Sequence, residues 1–311
     1  MPSREYIKHH CWQRPASIGF LGATSHTVWS AFVAAFEKRL HELGWIKDHN
    51  VDIRYQWAEG RDDNYARIAK DFVQRGVDVI VTGGTPAVLA AKKATTAIPI
   101  VFATAGDPVG TKLVASLKRP GGNVTGISNG QTDLADKRFD LLLETIPDLK
   151  RLAILANSSS QNVRLEIDRV QKRAKKLGLE TVTCDVQTGA QIGPAIKRLR
   201  GEADALYVCT DPLITHHRIN INMAAASVKL PTMHAFRDYI ETGGLISYGP
   251  NFRTMFALAA DLTDRILRGG KPADIPVHTE KDFELVVNLE TARMLDLKIP
   301  DRVRRRADAV R

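Results

Sequence analysis

Two aspartates occur in the same local pattern and are the strongest candidates for recognising a ligand. Asp107 and Asp211 each follow a short apolar run, and each precedes a proline. Such a run is typical of a strand buried in a parallel sheet. Loops at the carboxyl ends of these strands bind ligands in open α/β sheets, so we expect both carboxylates to face a cleft. The alternative is structural, since aspartate before proline commonly starts a turn.

Other loops that follow apolar runs could contribute to the same cleft. GGTP at residues 83–86 opens a predicted helix, whose free N–H groups favour an anion such as a carboxylate. A plain tight turn explains these residues equally well. Trp29 comes just after the first such loop and could either pack in the core or give a ligand ring a flat face.

The patterns of common catalytic, metal and cofactor sites are incomplete. GISNG at residues 126–130 matches the G-x-S-x-G pattern around Ser128, but the strand before it looks too short and other residues precede the next helix. A turn between two lobes is the preferred interpretation. His216 and His217 are adjacent, which is poor geometry for one metal ion, and no G-x-G-x-x-G follows the first strand. We predict no catalytic residue, no metal and no cofactor.

Composition indicates a globular protein with two domains. The 311 residues suffice for two domains of about 150 residues each. No run approaches the roughly 18 apolar residues of a membrane span. The net charge is +9, but the basic residues are spread over helix faces and the chain end, without the interleaved aromatic residues that stack on bases. We therefore predict no nucleic-acid partner.

Strand and helix patterns alternate from residue 18 onward, which predicts parallel α/β units. A predicted strand, loop and helix end at Gly44 in the first half and at Gly178 in the second. The same spacing separates Ile18 from Gly44 and Leu152 from Gly178. We infer two similar lobes that face each other across a cleft. A further helix is expected at residues 109–117, directly after the Asp107 loop.

Several motifs, taken together, resemble a known family. In order they are IGFL (18–21), VDVIV (77–81), TPA (85–87), IPIVFA (98–103), DPVG (107–110), NVTGIS (123–128), KR (137–138) with LL (141–142), GGKPADIP (269–276) and RADAV (306–310). They resemble the substrate-binding proteins of ABC transporters, and more narrowly the group that includes tryptophan- and tyrosine-binding members. The resemblance covers about residues 16–310 and says little about the ligand.

The resemblance implies a periplasmic-binding-protein type I fold, an α/β fold of two Rossmann-like lobes joined by a three-crossover hinge. One lobe would take residues 16–126 and 250–278, and the other 127–249 and 279–300. Residues 1–15 would form an extension and residues 301–311 a basic tail. The hinge would lie at residues 126–129, 248–252 and 277–281.

The family's ligand loops match residues 24–29, 85–86, 104–107 and 157–160 together with Asp211. The ligand-binding residues implied here are Ser25, Trp29, Thr85, Pro86, Thr104, Asp107, Asn157, Ser158, Ser159, Asp211 and, in the hinge, Tyr248. An amino-acid ligand carries two charges, and each must be matched in the cleft. Asp211, together with Asp107, would take the ammonium group, whereas hydroxyl and N–H groups around Ser25, Thr85 and residues 158–159 would take the carboxylate.

We therefore predict a solute-binding protein of an ABC importer that closes on a small organic solute, with an aromatic or branched amino acid as the expected ligand. The resemblance implies a monomer with ABC permease subunits as partners, in the periplasm or otherwise exported. Residues 1–14, as given, lack the apolar stretch of a signal peptide. One alternative is a cytoplasmic ligand-sensing domain of the same fold, and a less favoured one is a serine hydrolase that uses Ser128.

Overall fold

The computed structural model describes residues 14–310, so most of the predicted extension and the last residue of the basic tail lie outside the description. The strands are β1 (Ala16–Gly22), β2 (Val51–Trp57), β3 (Val79–Thr82), β4 (Ile100–Ala105), β5 (Val124–Ser128), β6 (Arg151–Ala156), β7 (Glu180–Asp185), β8 (Ala205–Val208), β9 (Thr232–His234), β10 (Ile246–Pro250), β11 (His278–Thr279), β12 (Phe283–Val287) and β13 (Ala309–Val310). The helices are α1 (His26–Glu42), α2 (Asp62–Gln74), α3 (Thr85–Ala94), α4 (Gln131–Thr145), α5 (Gln161–Lys176), α6 (Gly189–Lys197), α7 (Pro212–His216), α8 (Arg218–Ser227), α9 (Phe252–Leu267), α10 (Leu289–Met294) and α11 (Asp301–Arg306). Short 3-10 helices occupy Arg237–Thr242 and Pro272–Asp274.

The first lobe is built on a parallel sheet of six strands in the order β11-β5-β4-β3-β1-β2. Every residue of β3 and β4 is buried, so helices cover both faces of this sheet. Helix α9 packs on α1 and on strands β3 to β5, while α2 packs on α3. Phe20 of β1 makes ring contacts with Trp29 and Phe36 of α1 and with Phe256 of α9, which explains why the helix stripes are aromatic.

The second lobe is built on seven strands in the order β13-β12-β10-β9-β8-β6-β7. All neighbours in this sheet are parallel except β10 and β12. Residues 301–310, which we predicted as a basic tail, form α11 and β13, and β13 pairs with β12. The end of the chain therefore adds a strand to the second sheet.

The chain passes three times between the two sheets, in agreement with the predicted fold class. It leaves the first sheet after β5, returns after β10 when α9 packs on the first lobe, and leaves again after β11. The residue limits that we gave for the two lobes stay a prediction. Among the helices of residues 14–310, none has both the length and the apolar character needed to cross a membrane.

The helix predicted for residues 109–117 is wrong. This segment forms successive turns, with the N–H of Thr111 donating to the carbonyl of Asp107 at 2.9 Å. Asp107 and Lys112 have φ values of 38° and 59°, in the left-handed region that a right-handed helix cannot include. Leu113 and Val114 of this segment are buried in the core of the first lobe, so its apolar residues reflect the packing of a loop and not a helix.

Candidate functional site

A small cavity of about 40 Å³ lies between the carboxyl ends of the two sheets. Its walls come from the strand-end loops of both lobes and from the segments that join them. The lining residues are Thr24, Trp29, Gly84, Thr85, Thr104, Ala105, Gly106, Asn129, Gln131, Asn162, Thr210, Asp211, Pro212, Thr215 and Phe252. This position is the one at which open α/β sheets bind ligands.

The buried carboxylate of Asp211 belongs to the lining of this cavity. The residue is 2% exposed and precedes α7, where its Oδ1 accepts from the N–H of Leu213 at 2.9 Å and from Nδ2 of Asn157 at 3.2 Å. Within the described chain, Oδ2 of Asp211 and the neighbouring Oγ1 of Thr210 make no hydrogen bond of good geometry, although the backbone N–H of Ile214 lies near enough to the Asp211 carboxylate to lower its pKa. Burial raises the pKa of Asp211 to about 6. A buried acceptor without a partner is costly, so this corner is suited to a cationic donor.

The opposite wall carries hydroxyl groups and the start of a helix. Oγ1 of Thr85 donates to the carbonyl of Gly106 at 3.4 Å, and Oγ1 of Thr104 accepts from Nδ2 of Asn129 at 3.0 Å. Thr85 also begins α3, whose first turn has no side-chain cap. The amino-terminal end of a helix carries partial positive charge, so this wall is suited to an anionic group.

The remaining walls are aromatic and rigid. Trp29 is 4% exposed, and its ring packs edge-on against Phe256 with centroids 5.1 Å apart. Phe252 stacks on Phe236, with centroids 4.2 Å apart and an interplanar angle of 24°. The same rings therefore belong to the hydrophobic core and line the cavity, so they offer flat apolar surface that is already ordered.

A buried ion pair lies behind the cavity. Arg138 of α4 and Glu166 of α5 are both almost fully buried, and Nη1 of the arginine lies 3.1 Å from Oε1 of the glutamate. Tyr207 donates to the same Oε1 at 2.8 Å, and Nε of Arg138 donates to the carbonyl of Tyr248 at 2.8 Å. The pair thus connects two helices of the second lobe with strand β10, which leads into the hinge.

The other oxygen of this glutamate holds the cavity wall in place. Nε2 of Gln131 donates to Oε2 of Glu166 at 2.5 Å and to the carbonyl of Thr210 at 3.0 Å. The N–H of Thr210 also donates to Oε2 of Glu166, at 3.3 Å. Gln131 and Thr210 both line the cavity. Their orientation therefore depends on a buried charge that lies outside the cavity.

Four of the predicted site residues line the cavity together, namely Trp29, Thr85, Thr104 and Asp211. Asn157 lies just behind it and supports Asp211 through its side-chain amide. These residues come from loops of both lobes, so the structure brings together the two halves of the predicted site.

Four other predicted residues lie close by but outside the cavity. Pro86 and Ser159 line a separate groove between α2, α3 and the start of α5. Ser158 donates to Oδ2 of Asp185 at 2.7 Å, and Ser25 caps the first turn of α1. Their polar groups are therefore engaged in local structure.

Asp107 and Tyr248 also lie away from the cavity. Oδ1 of Asp107 accepts from the N–H of Gly110 at 2.8 Å, so its carboxylate closes its own turn. The ring of Tyr248 packs near Phe283, with centroids 6.0 Å apart. Asp107 and Asp211 therefore differ in placement although their sequence patterns match.

Ser128 has a better local context than its sequence indicated. It ends strand β5, and helix α4 begins three residues later. Its hydroxyl accepts from the N–H of Gly130 at 3.4 Å, and no histidine is among its hydrogen-bond partners in residues 14–310. Within the described part of the chain, the Ser128 hydroxyl therefore lacks a hydrogen-bonded histidine that could activate it as a nucleophile.

Six residues of the cavity were not named as ligand-binding residues, although Thr24 falls in the predicted ligand loop 24–29 and Asn129 and Phe252 fall in the predicted hinge; the six are Thr24, Asn129, Gln131, Asn162, Thr210 and Phe252. Thr24 and Thr210 lie in strand-end loops that the sequence pattern predicts at the cleft, so their position alone indicates a place in the site. Gln131 and Asn162 lie in the first turns of α4 and α5. Polar residues at helix starts are common, and nothing in their spacing marks these two.

Comparisons with known proteins agree with this architecture. The family described as ABC transporter substrate binding protein matches residues 17–311. A relative described as the tyrosine-binding protein of Clostridioides difficile (strain R20291) is 30% identical over 286 residues, which is 92% of this chain and 82% of that protein.

Two solved structures of relatives differ in how closely they superpose on this chain. The ABC domain from Streptococcus pneumoniae in complex with L-Trp has a TM-score of 0.89 at 30% identity and covers 96% of this chain and 100% of its own. The ligand-free, open structure of a substrate-binding protein with adhesive properties from Clostridium difficile has a TM-score of 0.67 at 28% identity, covering 95% and 99%. The two relatives have nearly the same sequence identity and coverage, so the difference in TM-score reflects the arrangement of the lobes. The lobes of this chain are arranged more as in the tryptophan complex than as in the open form.

The two lobes, the three crossings and the cavity between the sheets are those of a type I periplasmic binding protein. Together with the match over residues 17–311, they establish that the chain belongs to the family of ABC transporter substrate-binding proteins.

Proposed function

We propose that this protein binds an amino acid in the cavity between its lobes and delivers it to the permease of an ABC importer. The observation that carries the proposal is the unpaired, buried Oδ2 of Asp211 beside aromatic walls. Such a corner matches an ammonium group next to an apolar side chain. The tyrosine-binding and tryptophan-complexed relatives make aromatic amino acids the first ligands to test.

The ammonium group would bind at Oδ2 of Asp211 and Oγ1 of Thr210. Both oxygens are buried and lack partners among residues 14–310, and an ammonium has three donors to offer them. Because burial raises the pKa of Asp211 to about 6, the free site is half protonated near that pH. A bound cation would hold the carboxylate ionised.

The ligand carboxylate would bind at the opposite wall. The start of α3 would provide backbone N–H groups, and the hydroxyls of Thr85 and Thr24, which here donate to carbonyls at 3.4 and 3.5 Å, would turn to donate to the ligand instead. In this arrangement the second lobe takes the positive end of the ligand and the first lobe takes the negative end. Closure of the hinge would then bring the two matched charges together, which is the reason that an amino acid should favour the closed form.

The remaining predicted residues would act from outside the cavity. Asn157 would keep Asp211 in position, while Ser25 and Pro86 would shape the helix starts that face the ligand. Asp107 would shape the loop next to the cavity. Export to the periplasm, a monomeric state and the permease partner are part of the same proposal and come from the family.

A thermal-shift screen followed by calorimetric titration tests the proposal. L-Tyrosine, L-tryptophan, L-leucine and L-isoleucine should be compared at neutral pH with 3-(4-hydroxyphenyl)propionate, which lacks the ammonium group, and with tyramine, which lacks the carboxylate. We expect at least one amino acid to raise the Tm by several degrees, since a ligand at 100 times its Kd adds about 2.7 kcal/mol. Neither analogue should do so. Equal binding of 3-(4-hydroxyphenyl)propionate and L-tyrosine would contradict the proposed ammonium site.

A further inference from the structure

The lobes meet closely beside the cavity, where the turn after Asp211 lies against two glycines of the first lobe. A methyl group built on Gly60 would lie 2.8 Å from Cα and 3.1 Å from the backbone nitrogen of Leu213. One built on Gly84 would lie 2.8 Å from Cγ of Pro212. Real Cβ atoms do not approach other heavy atoms this closely. In this arrangement of the lobes, only glycine fits at either position.

The two glycines belong to the rigid frame of the first lobe. The N–H of Gly60 donates to the carbonyl of Ala23 at 2.8 Å, directly before the cavity residue Thr24. The N–H of Gly84 donates to the carbonyl of Thr104, another cavity residue, at 2.7 Å. Any surface formed by the two glycines therefore keeps a constant position relative to the cavity wall.

The part of the second lobe that fits against this surface also carries the charged group of the site. Pro212 and Leu213 begin α7, and the N–H of Leu213 donates to Oδ1 of Asp211 at 2.9 Å. The other carboxylate oxygen of Asp211 is the unpaired one. Docking of Pro212 and Leu213 on the first lobe therefore determines where that oxygen lies relative to the first-lobe wall.

We propose that Gly60 and Gly84 form a notch that receives Pro212 and Leu213 only when the lobes close, and that this contact positions the Asp211 carboxylate over the bound ligand. Gly60 is then a positioning residue, since it does not line the cavity and acts through the turn that does. The role of Asp211 rests on the proposed function, whereas the notch rests on contacts between the lobes.

Alanine substitution at Gly60 tests the notch, and Gly76 supplies a matched control. Both glycines have positive φ, 73° and 62°, so alanine introduces similar backbone strain at each. Gly60 faces the backbone of Leu213, whereas a methyl group on Gly76 would meet nothing within 4 Å. Both variants would be titrated calorimetrically with L-tyrosine and L-tryptophan, and their radii of gyration measured by small-angle X-ray scattering with and without these amino acids.

We expect Gly60→Ala to bind on the order of 10-fold more weakly, because forcing a methyl group into a packed contact typically shifts an equilibrium constant by about 5- to 150-fold. It should also stay expanded with the amino acid present. Gly76→Ala should bind and compact as the wild type does, with a similar loss of thermal stability. Binding by Gly60→Ala at the affinity of Gly76→Ala, or wild-type binding without compaction, would overturn the notch.

Failure of the proposed function has a different signature. If the wild type binds none of the amino acids, that function is rejected, and the free proteins then test the notch alone. The notch requires the free wild type to close part of the time, and therefore to have a smaller mean radius of gyration than free Gly60→Ala, which cannot close. Equal radii would overturn it.

Discussion

Replacing Asp211 with asparagine should change ligand affinity and free-protein stability in opposite directions. Asparagine keeps the size of the side chain, and its Oδ1 can still accept from the N–H of Leu213. The substitution removes the negative charge and turns the unpaired oxygen into an amide donor. The change is therefore confined to the one atom that we assign to the ligand's ammonium group.

The loss of affinity follows from the burial of the pair. Asp211 is 2% exposed, so a bound ammonium would lie in a region with little solvent screening. Breaking such a pair by removing one partner costs about 3–5 kcal/mol. This corresponds to a loss of more than about 100-fold in affinity.

The free protein should become more stable. Burial raises the pKa of Asp211 from 3.8 to about 6, so the folded state disfavours the charged form that prevails at neutral pH. The unfavourable contribution develops as the pH rises from about 4 to 6 and persists above that range, reaching on the order of 2–3 kcal/mol at pH 7. Asparagine, a neutral residue of the same shape, avoids this loss of stability. The stability advantage of Asp211→Asn over the wild type should therefore vanish below about pH 4.

Calorimetric titration with L-tyrosine and urea unfolding of the free protein measure the two effects. Asp107→Asn is the matched control, since Asp107 also precedes a proline and accepts from a backbone N–H, but its carboxylate lies outside the cavity. We expect Asp107→Asn to bind as the wild type does. The reasoning is refuted if Asp211→Asn binds within a few-fold of wild type, or if it unfolds at lower urea concentration at pH 7.

The remaining predictions concern pH and the buried groups of the second lobe. Affinity for L-tyrosine should fall by about tenfold per pH unit below about 6, since a protonated Asp211 cannot pair with an ammonium; equal calorimetric affinities at pH 7.5 and 5 would contradict this. Burial lowers the pKa of His234 to about 3, so the unfolded chain takes up a proton first. Between pH 7 and 5 this residue contributes a loss of about 2 kcal/mol of stability, opposed by the gain from Asp211 and Asp238, whose pKa values burial raises to about 6. His234→Phe should remove this loss in urea unfolding, and an unchanged pH dependence would disprove the assignment. Glu166→Gln should lower the free energy of unfolding by about 3–5 kcal/mol, because it leaves Arg138 buried without its partner. Asp168→Asn, which removes an exposed pair on the same helix, should lower it by less than about 0.5 kcal/mol. Similar losses of stability from both substitutions would argue against a special role for the buried pair.

The two lobes could be predicted because their signals are local. The run at residues 100–103 is apolar without interruption, and every residue of that strand is buried. The stripe Phe32, Phe36 and Leu40 repeats at helical spacing, and all three face the core. Each pattern indicates a single element and its buried side. Predicting the element therefore required no contact between residues that are distant in the sequence.

The placement of single carboxylates could not be predicted in the same way. Asp107 and Asp211 share the pattern of an apolar run and a following proline, yet only Asp211 reaches the cavity. The difference lies in the backbone, since Asp107 has a φ of 38° and bonds within its own turn, whereas Asp211 is extended with a φ of −147°. The dipeptide does not specify which of these conformations its loop adopts.

The buried pair behind the cavity was missed for a different reason. Charged residues on helices are usually solvated, so the residue type does not mark Glu166, and Arg138 entered only as part of the KR motif at residues 137–138. Glu166 lies between Val163 and Val170 on the buried face of α5, and a carboxylate within that apolar stripe was the available signal. The identity of its partner on α4 depends on tertiary packing and has no counterpart in the local sequence.

A crystal structure of the protein with the amino acid that gives the largest thermal shift tests the central claim most directly. We predict that the ligand lies between the lobes with its ammonium nitrogen about 2.7–3.2 Å from Oδ2 of Asp211 and its carboxylate toward Thr85. A ligand bound outside this cavity, or one whose ammonium group lies far from Asp211, would contradict it.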